Sequence, residues 1–179
     1  MIKQKIDNFT KSQEEGLSKL EAFLSTKIDI NDINTRVFLL MGKAGSGKTT
    51  IIRYALEKQL KHDKENINPH DVFFDMFNLP NVFGITQSHK AKMVLMQSLW
   101  ACGTFASAFD LKEKIDNKTG KRTFERTGKF ISDKAICRYP IKVFVHDECS
   151  MYSQEMLNYV LKDTNYSGKI IFMGERLPM

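Results

Sequence analysis

Cysteine is scarce in this chain of 179 residues: there are three, Cys102, Cys137 and Cys149, odd in number and widely spaced. Such spacing matches neither a disulfide framework nor a zinc site, and it makes a reducing cytoplasm the default compartment. Long apolar runs are also missing. Near the N-terminus the longest is Val37 to Met41, so neither a secretory leader nor a membrane span is readable. No internal repeat is visible. What is present, 42% hydrophobic and 11% aromatic residues, fits one soluble globular domain with a substantial core. The net charge of +6 is compatible with a polyanionic partner but does not by itself require one.

Apolar periodicity divides the chain into alternating helices and strands. After a frayed lead-in over residues 1–8, residues 12–26 read as a helix with Leu17, Leu20, Phe23 and Leu24 on one side. Ser12 is its expected N-cap, and Glu15 completes a capping box. A polar connection over 28–35 leads to a strand over 36–41. A helix over 50–58 follows and fades into the charged stretch 61–66. Residues 72–74 and 82–86 are short strand candidates, the second entering a helix that reaches about Trp100. Residues 104–109 form another compact element. The highly charged segment 110–133 carries a turn signal at 116–120, and its flanks either pair as a hairpin or stay a disordered loop. A strand over 141–146, a helix over 153–162 with Met156, Tyr159 and Val160 available for burial, and a strand over 169–174 complete the pattern. Alternation of this kind implies an α/β fold: a mainly parallel sheet flanked by helices, with right-handed crossovers.

Between the first strand and its helix lies Gly42-Lys43-Ala44-Gly45-Ser46-Gly47-Lys48-Thr49, a complete GxxxxGK[ST] phosphate loop in the strand–loop–helix context the motif requires. The glycines let successive N–H groups wrap a phosphate, and the helix start adds its positive end. Nucleotide binding is therefore expected at Gly42, Ala44, Gly45, Ser46, Gly47, Lys48, Thr49 and Thr50. Lys48 reaches the β- and γ-phosphates, and the Thr49 hydroxyl ligates Mg²⁺. Asp147 and Glu148 end an apolar strand. A lone Asp-Glu pair is usually a solvated strand end; in a chain that holds a phosphate loop, Asp147 becomes the second Mg²⁺ ligand. Glu148 then orients or deprotonates the attacking water. ATP and Mg²⁺ are the implied cofactors. Lys48, Asp147 and Glu148 are the catalytic candidates, and they are expected to converge on one metal-bound polyphosphate.

Further segments carry a resemblance: Gln13 in Thr10-Lys11-Ser12-Gln13, then Thr86-Gln87-Ser88-His89-Lys90-Ala91-Lys92, Thr104-Phe105-Ala106-Ser107, and Asp147-Glu148-Cys149-Ser150-Met151. With the phosphate loop, and in this order, they resemble the first RecA-like motor domain of superfamily 1 helicases of the RecD/Dda type, which move 5′ to 3′ on single-stranded DNA. The likeness runs from about Ser12 to Gly174. It implies that Gln13 recognises adenine. It also implies that Thr86, His89, Lys90 and Thr104 touch a DNA backbone, contacts that position a strand without reading it. Phe105 or Phe109 would stack on a base, an interaction of ~1–3 kcal/mol. Four-residue spacing equally suits two core phenylalanines, and Lys90 and Lys92 equally suit a solvated surface. The segment 112–131 lies where this family places a pin that splits the duplex, with Lys121, Arg122 and Arg126 for phosphates and Phe124 as a wedge.

The end of the chain departs from that family. Its third motif normally reads Gly-Asp-x-x-Gln-Leu-Pro, whereas Gly174-Glu175-Arg176-Leu177-Pro178 lacks the glutamine and is two residues shorter. No second RecA-like lobe follows, and in the family that lobe supplies an arginine worth roughly 10³–10⁵ in rate. The expected function is thus the ATP-binding motor domain of a single-stranded-DNA translocase or helicase, needing a second lobe or partner chain for full activity. A nucleotide-gated module binding DNA or protein with little turnover is the alternative. A small-molecule kinase is the third reading, disfavoured because no arginine-bearing lid or acceptor-binding acid is evident.

Overall fold

The computed structural model describes residues 9–65, 82–97, 99, 102–109, 111–120, 122–126, 143–163 and 168–175. In chain order its elements are α1 (Lys11–Ser25), β1 (Val37–Met41), α2 (Lys48–Glu65), β2 (Val82–Thr86), α3 (His89–Leu95), β3 (Cys102–Thr104), α4 (Phe105–Ala108), β4 (Leu111–Ile115), β5 (Arg122–Arg126), β6 (Val143–His146), α5 (Gln154–Asn158) and β7 (Lys169–Gly174). Five strands form one sheet in the order β1-β7-β6-β2-β3, and every neighbouring pair is parallel. The expected α/β architecture is therefore present. Among the described residues, no helix is long and apolar enough to cross a membrane.

The pleat sends alternate side chains of each strand to opposite faces. Val143, Val145, Ile171 and Met173 join Leu20, Phe23, Ile52 and Leu95 in a largely aliphatic core under α1, α2 and α3. Phe144, Ile170 and Phe172 face the other way, into an aromatic core with Phe83, Phe109 and Tyr152. Burial on both faces explains why β6 and β7 read as continuous apolar runs. β1 is an edge strand of this sheet, and Leu39 there is 46% exposed.

Several boundaries differ from the sequence expectation, each for a local reason. Thr10, not Ser12, caps α1: Gln13 N–H donates to Thr10 Oγ1 at 3.4 Å and Thr10 N–H to Gln13 Oε1 at 2.9 Å. Glu15 instead pairs with Lys19 one turn on. α2 continues to Glu65 rather than fading after Lys58, because its Lys, Glu, Gln and Leu residues are good helix formers. α3 stops at Leu95, short of the expected end near Trp100, and the chain turns at 96–97. α5 gives way after Asn158 to a π-helical turn over Tyr159–Asp163, which still buries Met156 and Val160. The charged segment takes the hairpin form: β4 and β5 are antiparallel, and Asp116 anchors the turn by accepting from the N–H groups of Lys118 and Thr119. The strand expected at 72–74, together with Lys121 and the side chains of Arg122, Phe124 and Arg126, lies outside the described residues.

One buried cation ties the last strand to the first helix. Lys169 Nζ donates to the carbonyls of Phe23, Leu24 and Thr26, the last two at 2.6 and 2.7 Å. These include terminal carbonyls that a helix cannot satisfy internally. Burial pushes the ammonium pKa down, and the carbonyls together with the Phe23 ring, 4.9 Å from Nζ, compensate the charge. Lys169→Met, which keeps the chain length but removes the donor, should lower unfolding free energy by about 1–3 kcal/mol. Urea titration measures this directly; an unchanged midpoint would contradict the role assigned to Lys169.

Candidate active site

All five parallel strands deliver their carboxyl ends to one edge of the sheet, the place where open α/β sheets bind ligands. The phosphate loop leaves β1 there, tied to its neighbour by Gly42 N–H donating to Gly174 O at 3.0 Å. Gly45 and Gly47 hold φ of +74° and +83°, left-handed values that the turn into α2 demands. A Cβ on Gly47 would lie 2.7 Å from Gln13 Nε2. That nitrogen donates to Ser46 O at 3.0 Å while Gln13 Oε1 caps α1. Both ends of the Gln13 amide are thus engaged within the protein, one N–H and one oxygen lone pair being left over.

Two more polar groups of the loop have partners within the protein. Lys48 Nζ donates to Gly42 O at 2.7 Å and Lys43 O at 2.9 Å. Ala44 N–H donates to Glu175 Oε1 at 2.8 Å. A carboxylate oxygen thus lies on a loop amide, in the kind of contact a phosphate oxygen makes with such a loop. In the sequence Glu175 stands out only as a departure in the third motif; its position one residue beyond β7, the strand paired with β1, is the signal that places it here.

The acid pair follows β6. Asp147 N–H donates to Ile85 O at 2.8 Å, which fixes its backbone to β2, and Asp147 Oδ1 accepts from Glu148 N–H at 2.9 Å. Burial pushes the Asp147 pKa up, opposed by the Glu148 N–H and by the nearby charge of Lys48. Glu148 is exposed and has φ +53° and ψ +39°, a left-handed conformation that no other non-glycine among the described residues adopts. That backbone costs roughly 1–2 kcal/mol. Cys149 is buried, its thiol pushed up to about 11, so it contributes no nucleophile.

No cluster of three His, Cys, Asp or Glu able to hold a metal occurs among the described residues. Thr49, in the first turn of α2, and Asp147 offer one hydroxyl and one carboxylate. This sparse, all-oxygen set suits Mg²⁺, which keeps several waters and borrows phosphate oxygens.

The DNA candidates divide. Thr86 is fully buried and donates to Ser88 O at 3.0 Å. Thr104 is buried and caps α4, accepting from Ser107 N–H at 3.2 Å. Phe105 is 2% exposed, with ring centroids 5.0 Å from Phe109 and 5.4 Å from Tyr152, so both phenylalanines are core and neither offers a face to a base. The threonines shape loops instead of donating to a ligand. His89 and Lys90 remain exposed in the first turn of α3, which Ser88 caps.

Residues 29–177 match the family model described as AAA domain. The chain is 31% identical over 183 residues to an uncharacterized protein of Acanthamoeba polyphaga mimivirus, an alignment covering 93% of this chain and 32% of that protein. It thus spans about a third of the length of this curated relative. Among solved structures it is similar to the HK97 bacteriophage large terminase, with a TM-score of 0.45 and 10% identity over 93% of this chain and 33% of that one. A large terminase from a thermophilic bacteriophage gives a TM-score of 0.41 and 14% identity over 93% and 39%.

The strained acid makes a prediction. Glu148→Gly should raise the melting temperature by about 2–4 °C, the shift expected for relief of about 1 kcal/mol in a domain of this size. Calorimetry measures it, and a lower melting temperature would show that the Glu148 backbone is not under strain.

Proposed function

The chain belongs to the AAA domain family and is a P-loop ATPase domain with a RecA-like parallel sheet, and on that premise we propose that it is the motor lobe of an ATP-dependent translocase or helicase acting on single-stranded DNA. The observation that supports this reading is that the phosphate loop after β1 and the Asp147–Glu148 turn after β6 leave the same carboxyl edge of the parallel sheet, the edge from which β2 leads to His89 and Lys90. On nucleotide entry Lys48 exchanges two backbone carbonyls for phosphate oxygens. Thr49 and Asp147 would hold Mg²⁺, which when bound would supply charge neutralisation to a transferred phosphoryl group. Glu148, exposed at the rim, orients the attacking water. His89 and Lys90 supply sequence-independent backbone contacts to DNA, and the β4–β5 hairpin is the candidate pin. A second RecA-like lobe or partner chain supplies a cationic group to the cleft.

One observation favours a nucleotide-gated binding module as the second reading. Lys48 and the Ala44 amide already have partners in the protein, so nucleotide binding rearranges the loop even without turnover.

Phosphate release measured with and without a single-stranded oligonucleotide separates these readings. The motor reading expects DNA to raise the rate several-fold. Lys48→Ala should weaken ATP binding about tenfold or more, because charge-assisted hydrogen bonds worth about 1.5–3 kcal/mol are lost. A rate indifferent to DNA, alone and with a second lobe added, would reject the motor role, and an unweakened Lys48→Ala variant would reject the nucleotide site itself.

A further inference from the structure

A buried polar pair under the acid turn has no part in the chemistry described so far. His146 ends β6, directly before Asp147, and its imidazole is fully buried. Tyr152, at the far end of the same turn and also buried, places its hydroxyl 2.8 Å from His146 Nδ1. Gln87, one residue beyond β2, is half-buried nearby, and its Nε2 lies 4.0 Å from Met156 Sδ. Desolvation holds the imidazole neutral, with its pKa lowered to about 3, so it is not a proton carrier. His146 Nε2 has no hydrogen-bond partner among the described residues, and the ring lies between aromatic neighbours, 4.9 Å from Phe172 and 6.3 Å from Phe109. A phenylalanine would fill that aromatic site with no unsatisfied nitrogen. The packing alone therefore does not account for a histidine here.

The pair's position in the chain does. The His146–Tyr152 hydrogen bond joins the first and last residues of the turn that carries both carboxylates. Inside it, Met151 N–H donates to Glu148 O and Tyr152 N–H to Cys149 O, each at 3.0 Å, while Glu148 N–H holds Asp147 Oδ1. A left-handed glutamate persists only where its surroundings over-determine it. We propose that the His146–Tyr152 hydrogen bond is a positioning clamp that keeps Glu148 left-handed and thereby aims the Asp147 carboxylate at the Mg²⁺ of a bound nucleotide. The inference rests on the nucleotide-site reading above.

The test compares ADP binding in EDTA with ADP binding in Mg²⁺ for wild type and Tyr152→Phe, alongside circular dichroism and melting curves. Affinity in EDTA should be unchanged, since the phosphate loop is untouched. The gain that Mg²⁺ adds in wild type should shrink by about tenfold, the lower end of what losing a metal ligand's own partner costs, because Tyr152 acts on Asp147 through the turn. A merely structural role would weaken both bindings together, and an Mg²⁺ gain preserved in full would overturn the clamp. Should Tyr152→Phe fail to fold, the double variant His146→Leu with Tyr152→Phe removes both polar partners at similar volume and is judged by the same criterion. Wild type that binds ADP with no Mg²⁺ gain overturns the clamp alone; wild type that binds no nucleotide in either buffer overturns the site reading and the clamp with it.

Discussion

The insertion of β7 between β1 and β6 is the constraint from which the rest of the molecule follows. Parallel pairing sets Met41 against Gly174 and His146 against Phe172, so β1 and β6 finish on one edge although more than half the chain separates them. Such a ladder forms only when both faces of the central strands are covered. The aliphatic layer under α1, α2 and α3 and the aromatic layer on the opposite side provide that cover. Lys169 ties the two ends of the construction together by anchoring the first helix to the last strand. The active edge is thus a product of long-range pairing more than of any local segment.

Local signals made much of this legible in the sequence. The phosphate loop, the alternation of strands and helices, and the apolar run before Asp147 are each contained within a few residues, and all reappear in the structure. The helix N-cap was misread because Ser12 and Thr10 offer the same chemistry, and only the reciprocal bond of Gln13 decides between them. Thr86, Thr104 and Phe105 looked like ligand contacts from motif position, yet burial is set by elements distant in sequence. The contacts of Glu175, His146 and Tyr152 were invisible for the same reason: each joins segments whose proximity exists only after folding, or whose side chains meet across a turn of unusual backbone.

At the edge itself, the groups meant for a polyphosphate rest on internal partners. Lys48 lies on carbonyls, the Ala44 amide on Glu175, and the Gln13 amide on the loop and α1. Such internal pairing stabilises a phosphate loop without its ligand and makes nucleotide entry an exchange of hydrogen bonds. The acid turn is different in kind. Its geometry is held under strain by buried contacts beneath it, as expected where a carboxylate must be aimed and not merely present.

A crystal structure of the chain with Mg²⁺ and a non-hydrolysable ATP analogue tests the central claim most directly. The account predicts Mg²⁺ bound by the Thr49 hydroxyl and by Asp147, directly or through water, with Lys48 moved from Gly42 O to the phosphates. A metal-bound polyphosphate lying away from residues 147–148 would contradict it.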